Sequence, residues 1–263
     1  MDLLERERFL GAVRRVLAAD LACPESALLE EGVLVTPFEQ RPGRRAYPRP
    51  TKPLTIATMG AGVVVSCHPE RIDWLRRALG TRSRDEIFAV STVAELAAHV
   101  GRDGQVLHGR AINSVCSPDT FRPPFEPAGV TIDLVEGADV VQLYRHPGFD
   151  NALSYRPDDP RPDVAAAVAS DGSAILGIAG MSADSEILWQ IGIDVIPSAR
   201  GAGLGRALVG RLTELAFRLG KIPYYAVAVS NIRSNALAVG LGYWPAWSEL
   251  YSKDSAPDAV ERT

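Results

Sequence analysis

The sequence predicts an α/β protein with two domains, and three observations lead to this prediction. Strand-like and helix-like segments alternate along the 263 residues, which is typical of α/β proteins. A proline-rich segment at residues 123–129 can neither run as a helix nor complete a β ladder. A glycine-rich turn in the second part connects an apolar strand to a long amphipathic helix. We therefore expect one domain at residues 1–122, a linker, and another at 130–263.

The sequence before the linker predicts a smaller mixed α/β unit. Apolar residues recur at helical spacing over residues 3–21, so an amphipathic helix is expected there. β-Rich stretches follow at residues 32–36 and 54–67, and a helix is expected over 69–79. The arginine-rich loop at residues 41–49 is predicted to be solvated, because proline and glycine interrupt it.

The part after the linker predicts six strands and three helices, separated by turns. The apolar face of its longest helix, including Leu204 and Leu219, is expected to lie in the core. In chain order these elements are strand 130–135, helix 138–143, strands 164–169, 174–181 and 186–195, helix 201–219, strand 224–229, helix 234–240 and strand 243–251.

The composition excludes several classes of protein. A formal net charge of −4 and 46% hydrophobic residues indicate a globular chain with a sizeable core. No apolar run approaches the roughly 18–20 residues of a membrane-spanning helix. The first eight residues alternate acids and bases, unlike a secretory signal. We therefore expect a cytoplasmic protein with no membrane partner.

Cysteine, histidine and charge patterns narrow the chemistry further. The three cysteines are widely spaced and odd in number, so reduced thiols are expected. The four histidines show no zinc-ligand spacing, and no metal is expected. Nucleic-acid binding is disfavoured, because the net charge is negative and the arginine-rich loop has no stacking aromatic besides Tyr47.

The most informative segment follows the strand at 186–195. Pro197 ends this strand, and residues 200–206 form a turn that opens the long helix. Glycines let an anionic group approach the backbone closely, and the first amides of a helix have no intrahelical partners. The helix dipole adds positive potential there, so the turn predicts a phosphate or pyrophosphate site. The three glycines of this turn are Gly201, Gly203 and Gly205.

Two common phosphate-binding motifs do not fit this turn. A P-loop requires Gly-Lys-Ser/Thr, whereas the turn ends in Gly205-Arg206-Ala207. A dinucleotide-binding fingerprint that begins at Gly201 would need glycine or alanine where Arg206 stands. An ordinary strand-to-helix turn remains the alternative to an anion site.

The turn resembles the acyl-CoA-binding motif of the GCN5-related N-acetyltransferase (GNAT) family. That motif runs Gln/Arg-x-x-Gly-x-Gly/Ala after a strand ending in Val-x-Pro. Arg200, Gly203 and Gly205 occupy its positions, and residues 195–197 read Val-Ile-Pro. A second family signature, Asn followed by a short helix and Leu-Gly-Phe/Tyr, is similar to residues 231–243.

The resemblance covers roughly residues 130–263 and implies a mixed, mainly antiparallel sheet flanked by helices. It implies acetyl-CoA as co-substrate, with the pantetheine arm between the strand ending at Val195 and the strand after Pro223. Backbone contacts are then expected at Ile193 and Val195. The other residues implied to contact coenzyme A are Arg200, Gly201, Ala202, Gly203, Leu204, Gly205, Arg206, Asn231 and Ser234.

The resemblance also implies N-acetyl transfer by direct attack of an amine in a ternary complex. The acceptor would be a small-molecule amine or a peptide amino group. Glu186 is the first candidate for the proton acceptor, ahead of Asp194, with a solvated hairpin as its alternative. His146 could contact the acceptor or be an ordinary loop histidine.

One departure from the family pattern bears on catalysis. Many relatives carry a tyrosine, as general acid, four residues before the glycine of Leu-Gly-Phe/Tyr, and this position is Ala238 here. Tyr243 and Tyr251 are candidate substitutes, with ordinary packing as the alternative for each. The departure keeps open a non-catalytic acyl-CoA-binding sensor or regulatory module. Cys67 is not expected to be a nucleophile.

Two roles stay open for residues 1–122, for which the sequence suggests no family. They could wall the acceptor site, or they could mediate a homodimer.

Overall fold

The structure is a computed structural model that describes residues 3–47 and 50–255. The helices are α1 (Leu3–Asp20), α2 (Ile72–Leu79), α3 (Arg84–Ile87), α4 (Val90–Gly101), α5 (Leu204–Arg218) and α6 (Ile232–Gly240). The strands are β1 (Val33–Pro37), β2 (Leu54–Thr58), β3 (Val63–Cys67), β4 (Gln105–Val115), β5 (Thr131–Glu136), β6 (Asp163–Ser170), β7 (Ile175–Ser182), β8 (Leu188–Val195), β9 (Ile222–Ala228) and β10 (Trp244–Asp254). Short 3-10 helices lie at Glu25–Leu28, Pro69–Arg71, Gly137–Arg145 and Pro197–Ala199.

The chain divides into two compact units by its contacts. Unit 1 comprises residues 3–13, Arg45–Tyr47 and Asn113–Ala246. Unit 2 comprises Arg14–Arg44 and, of the described residues, 50–112 and 247–255. The units therefore do not follow the order of the chain, because short segments from its first third belong to unit 1.

The predicted fold class is confirmed, since both units combine helices with mainly antiparallel strands. In unit 2 the strand order is β1-β3-β2-β10-β4. Strands β1 and β3 pair in parallel, whereas β2 pairs antiparallel with both β3 and β10. In unit 1 the order is β9-β8-β7-β6-β5, with antiparallel pairs except between β8 and β9. Among the described helices, none is long and apolar enough to cross a membrane.

The proline-rich segment, which the sequence predicts as a linker, contacts helix α5. Residues 123–129 lie within unit 1. A Cβ added to Gly210 of α5 would come within 2.5 Å of the Pro124 side chain, so this segment packs against the helix. The domains at 1–122 and 130–263 stay a prediction, because contacts alone do not test which fragment folds by itself.

Helix α5 covers one face of the unit 1 sheet. Its buried side chains include Leu204, Leu208 and Leu212, which pack with alanines of β6 and β7 such as Ala167 and Ala179. This confirms the predicted apolar face for most of its length. Leu219 is an exception, because it follows the last residue of the helix and its side chain is 46% exposed.

A loop segment lies directly on the opposite face, over two glycines that pair with each other. Gly180 of β7 and Gly192 of β8 are register partners. A Cβ on Gly180 would lie 1.7 Å from the Ala152 carbonyl oxygen, and one on Gly192 would lie 1.8 Å from that of Asn151. Asp194 holds the same segment, since its carboxylate accepts hydrogen bonds from the Asn151 backbone at 2.7 Å and side chain at 2.6 Å.

We predict that Gly180→Ala destabilises the protein by about 1–3 kcal/mol, the usual cost of forcing an extra group into a packed site. The added methyl group cannot be accommodated without moving the Ala152 backbone. The measurement is the urea midpoint followed by circular dichroism. Gly101→Ala is the control, because a Cβ there meets nothing within 4 Å. Equal midpoints for the two variants would contradict the close approach.

Candidate functional site

Strands β8 and β9 part from each other, and the gap between them organises the site. They pair in parallel only from Leu188 opposite Ile222 to Gln190 opposite Tyr224. Beyond that pair β8 stays bonded to β7 as far as Val195. Among the described strands, the other edge of β8 has no pairing partner from residue 191 onward. The backbone groups along this edge are thus available to an extended ligand.

The glycine turn, residues Arg200–Arg206, lies just beyond the end of β8. Gly201 and Gly203 adopt left-handed conformations, with φ of 92° and 82°. A Cβ at either position would meet no atom within 4 Å, so the space in front of the turn is open. The first backbone bond after the turn runs from the Ala207 amide to the Gly203 carbonyl at 3.1 Å. The preceding helical amides have no intrahelical acceptor, which suits an anion.

The structure brings the glycine turn together with the end of β8. A Cβ on Gly205 would lie 3.8 Å from Val195 and 3.9 Å from Ile193, with Leu237 of α6 at 3.1 Å. Four predicted acyl-CoA contacts, at Ile193, Val195, Gly203 and Gly205, therefore lie in one region. The Leu204 side chain is buried in the core, so only its backbone could reach a ligand.

The two arginines of the turn each donate a hydrogen bond to a backbone carbonyl. Arg200 donates from Nε to the Val195 oxygen at 2.9 Å, and Arg206 donates from Nη2 to the Gly240 oxygen at 2.9 Å. Arg206 thereby satisfies a carbonyl at the end of α6. Both side chains are exposed and retain further N–H groups. Their contact with phosphate stays a prediction, as does that of the exposed Ala202.

Asn231 and Ser234 organise the start of α6. The Asn231 side-chain oxygen accepts a hydrogen bond from the Ser234 amide at 3.2 Å, as expected of an N-cap residue. Burial raises the pKa of Tyr225 to about 12, and a hydrogen bond with the Ser234 side chain opposes that rise. Both residues thus form hydrogen bonds within the protein. Their contact with a pantetheine arm stays a prediction.

A buried polar cluster, which we call the Asp184 cluster, lies where β8 and β9 part. Asp184 and Tyr224 are both 0% exposed, and the Tyr224 hydroxyl donates to the Asp184 carboxylate. The same hydroxyl lies 3.0 Å from Gln190 Oε1, and Ser182 donates to Asp184 at 2.6 Å. Burial, followed by the charge of Asp184, raises the pKa of Tyr224 well above its ordinary value.

The arginine-rich loop contributes two residues to the Asp184 cluster. Tyr47 shares a short hydrogen bond with the Tyr224 hydroxyl. Arg45 is only 3% exposed, and its guanidinium lies 5.0 Å from the Tyr47 ring. The prediction of a solvated loop is therefore wrong for Arg45, which is buried beside aromatic rings. No local pattern marks this position, because the partner residues lie far away in the chain.

The two acidic residues of the turn between β7 and β8 differ in burial. Asp184 is buried in the cluster, so the alternative of a solvated hairpin does not hold for this residue. Glu186 is exposed, and its backbone oxygen accepts a hydrogen bond from Lys221 Nζ at 2.9 Å. Its role as proton acceptor stays a prediction. Asp194 is occupied in anchoring Asn151, which is a positioning role.

The two candidate tyrosines have different surroundings. Tyr243 is buried in the unit 1 core, and its hydroxyl lies 2.7 Å from Thr213 Oγ1 of α5. This geometry suits packing, the alternative that the sequence left open. Tyr251 belongs to unit 2, where its ring stacks with His108 at 5.9 Å between centroids. Ala238 is buried in the unit 1 core.

His146 and the cysteines complete the candidates. His146 lines an open groove of about 540 Å³ together with Ser170 and Ile196, and its Nε2 accepts from Arg145 at 3.1 Å. The three cysteines are buried, and this burial raises the pKa of Cys67 to about 11. Within the described residues no cluster of His, Cys, Asp and Glu could hold a metal.

Comparison with known proteins identifies the segment that carries this site. The model of the acetyltransferase (GNAT) family matches residues 138–243. These residues form a GNAT acetyltransferase domain. The GNAT domain includes the glycine turn, the parting strands and the start of α6. No curated protein sequence matches the chain significantly.

Solved structures similar to this chain include several described as GCN5-related N-acetyltransferases. The one from Kribbella flavida is 20% identical with a TM-score of 0.46, and the match covers 63% of this chain and 65% of that one, just under two thirds. A GCN5-related N-acetyltransferase-like protein from Streptococcus suis 89/1591 is 16% identical, with a TM-score of 0.45 and coverages of 66% and 76%. The Sphaerobacter thermophilus enzyme is 19% identical, with a TM-score of 0.44 and coverages of 64% and 58%.

We predict that none of the three thiols reacts with Ellman's reagent in the folded protein at pH 8. Burial raises their pKa values to about 11 for Cys23 and Cys67 and about 12 for Cys116, so little reactive thiolate is present. In 6 M guanidinium, three thiols should react, and Cys67→Ala should lower that number to two. If native wild type is labelled rapidly and native Cys67→Ala is not, Cys67 becomes a candidate nucleophile again.

Proposed function

We propose that the protein is an acetyl-CoA-dependent N-acetyltransferase that transfers an acetyl group to an amine by direct attack in a ternary complex. The observation that carries this proposal is the position of the glycine turn over the end of β8, where β8 has left β9. A site for an anionic phosphate group thereby adjoins a strand edge with free backbone groups. Acetyl-CoA combines a pyrophosphate with an extended arm that contains two amides, so both features suit it.

The pyrophosphate of acetyl-CoA is expected at the glycine turn. The open amides of residues 203–206 and the dipole of α5 would hold the pyrophosphate. Arg200 and Arg206 are exposed on either side and would add charge-assisted hydrogen bonds. The pantetheine amides would pair with the free edge of β8 around Ile193 and Val195. Asn231, at the start of α6, would contact the same arm.

The transfer itself balances without a covalent enzyme intermediate. The amine nitrogen forms a C–N bond to the thioester carbonyl carbon while the C–S bond breaks. The amine loses one proton, and the departing thiolate sulfur gains one. A backbone amide of β8 would stabilise the developing oxyanion, and the protein would mainly position the two reactants. The buried cysteines agree with direct transfer, because an S-acyl-enzyme intermediate would need an accessible cysteine thiolate to form it.

A non-catalytic acyl-CoA sensor is the second candidate. One observation favours it: Ala238 stands where a proton donor is expected, and Tyr243 is hydrogen-bonded inside the core. In an active enzyme, water would then protonate the departing thiolate. Release of free coenzyme A across a panel of amines separates the two candidates.

We predict that Gly203→Glu weakens binding of acetyl-CoA at least about tenfold, or about 1.4 kcal/mol, in titration calorimetry. The new carboxylate would stand where the pyrophosphate is expected. Gly129→Glu is the matched control. It adds the same charge at a glycine with similar φ, 75° against 82°, and equally open surroundings.

Adenosine diphosphate and NAD serve as ligand controls in the same titration. Selective binding of acetyl-CoA, lost only in Gly203→Glu, supports the proposed cofactor site. Unchanged affinity in that variant, or equal binding of the control ligands, would overturn the placement of the pyrophosphate.

We predict that Glu186→Gln lowers turnover about 100-fold or more and leaves the affinity for acetyl-CoA unchanged. General bases contribute roughly 10²–10⁴-fold. Glu214→Gln, on α5, is the control because it removes a partly exposed carboxylate from the same unit. If turnover of Glu186→Gln stays within about twofold of wild type, a water chain or another group takes the amine proton.

A further inference from the structure

A small polar pocket lies on the face of β8 opposite to α5. Its volume is about 90 Å³, and its lining includes the glycine pair Gly180 and Gly192 and the Asn151–Ala152 segment that lies over them. Side chains alternate along a strand. Ile191 and Ile193 face α5 and the core, so Gln190, Gly192 and Asp194 lie on the other face. The pocket therefore adjoins the strand on which the acyl group is proposed to lie.

One wall of the pocket carries negative charge that is only partly satisfied. Asp163 accepts three hydrogen bonds on Oδ2, from the Tyr144 hydroxyl at 2.8 Å and from the Ser154 amide and hydroxyl at 2.8 and 2.9 Å. In the part of the chain that the structure describes, no hydrogen bond reaches its Oδ1. Asp150 also lines the pocket and is exposed. These carboxylates suit an ammonium group.

The other wall carries a fixed guanidinium. Arg161 donates from Nη1 to Gln190 Oε1 at 3.1 Å and lies 3.7 Å from the buried Asp184 carboxylate. Its plane lies over the Tyr47 ring, with Cζ at 4.7 Å from the centroid. Its Nε is buried and has no hydrogen-bond partner among the described residues. The side chain is 25% exposed, so other N–H groups of the guanidinium are within reach of a ligand.

We propose that this pocket binds the acceptor as a zwitterion, with the amino group toward Asp163 and an adjacent carboxylate on Arg161. The acceptor is then a free α-amino acid. This inference rests on the proposed N-acetyltransferase function and names its substrate class. A planar guanidinium pairs with a carboxylate in fork geometry, and such charge-assisted bonds are among the stronger ones in proteins.

The size of the pocket supports a compact headgroup. About 90 Å³ corresponds to roughly three water molecules at about 30 Å³ each. The α-amino and α-carboxylate groups of an amino acid fit this space, and a larger side chain would extend into solvent. The amino end of a peptide lacks the adjacent carboxylate and would place no carboxylate on Arg161.

Tyr47 is a positioning residue in this arrangement. Its ring supports the Arg161 guanidinium, and its hydroxyl lies 3.4 Å from the Gln190 oxygen that Arg161 also contacts. A residue of the first third of the chain would thus set the orientation of the carboxylate-binding group. In this way a residue from the segment 1–122 would contribute to the acceptor site, as the sequence analysis allowed.

The test compares amino acids with amines that lack only the carboxylate. The probes are glycine, L-alanine, L-serine and L-phenylalanine against methylamine, ethylamine, ethanolamine and phenethylamine. Each probe is titrated into the full-length protein without acyl-CoA, and each is then assayed for release of coenzyme A from acetyl-CoA. Wild type should prefer at least one amino acid over its paired amine by about tenfold or more.

Arg161→Met should reduce that preference to within about twofold and leave acetyl-CoA affinity unchanged, whereas Arg161→Lys should retain part of it. Arg211→Met is the control, because Arg211 pairs with Glu126 on the exposed side of α5. If Arg161→Met does not fold, the wild-type preference alone decides. No preference for the carboxylate in binding or turnover overturns the proposal, as does a preference that persists in folded Arg161→Met.

Failure of the proposed function gives a different result. Wild type would then bind no acetyl-CoA, yet a carboxylate preference in the direct titration, lost in Arg161→Met, would still support the amino-acid pocket.

Discussion

The contact between Tyr224 and Gln190 fixes the point at which the two central strands of the GNAT domain part. These residues are the last register pair of β8 and β9, and their side chains also meet at 3.0 Å. Asp184, in the neighbouring turn, accepts a hydrogen bond from the Tyr224 hydroxyl. Buried polar groups are stable only when their partners are in place, so this arrangement tolerates little displacement. The free strand edge beyond it depends on this fixed point.

Two features extend from that point on opposite faces of β8. On one face, the side chains of Ile193 and Val195 meet the start of α5 and orient the glycine turn. On the other face, Gly192 and its partner Gly180 let the Asn151–Ala152 backbone lie directly on the strands. A side chain at either glycine would displace that segment and close the small polar pocket. Under the proposed function, one strand would thus adjoin the cofactor and the acceptor on two sides.

Local patterns were sufficient to predict much of this domain. The strand before Val195, the glycine turn and helix α5 were predicted because apolar periodicity, proline and glycine act within a few residues. Helices α3 and α4 and strand β4 were not predicted. Residues 138–143 were predicted as a helix of unspecified type, and they belong to the 3-10 helix Gly137–Arg145. A segment this short does not distinguish the two helix types by its apolar spacing.

The Asp184 cluster could not be predicted in the same way, because its members are far apart in the chain. Tyr47 and Tyr224 are separated by 177 positions, and Asp184 stands in a sequence of small and acidic residues typical of a solvated turn. Burial of such an aspartate is favourable only when hydroxyl and guanidinium donors surround it. Those donors are Ser182, Tyr224 of β9 and Arg161, and Tyr47 of the arginine-rich loop is hydrogen-bonded to Tyr224. Only tertiary structure brings them together.

The participation of Arg45 and Tyr47 also bears on how the protein folds and acts. They are enclosed in unit 1, although the chain on both sides of them belongs to unit 2. Removing them would take Tyr47 away from the Tyr224 hydroxyl and the Arg161 guanidinium. A fragment limited to residues 130–263 contains the residues of the glycine turn and the parting strands. It lacks Tyr47, which supports Arg161, so under the two proposals above cofactor binding and acceptor selection would depend on different portions of the chain.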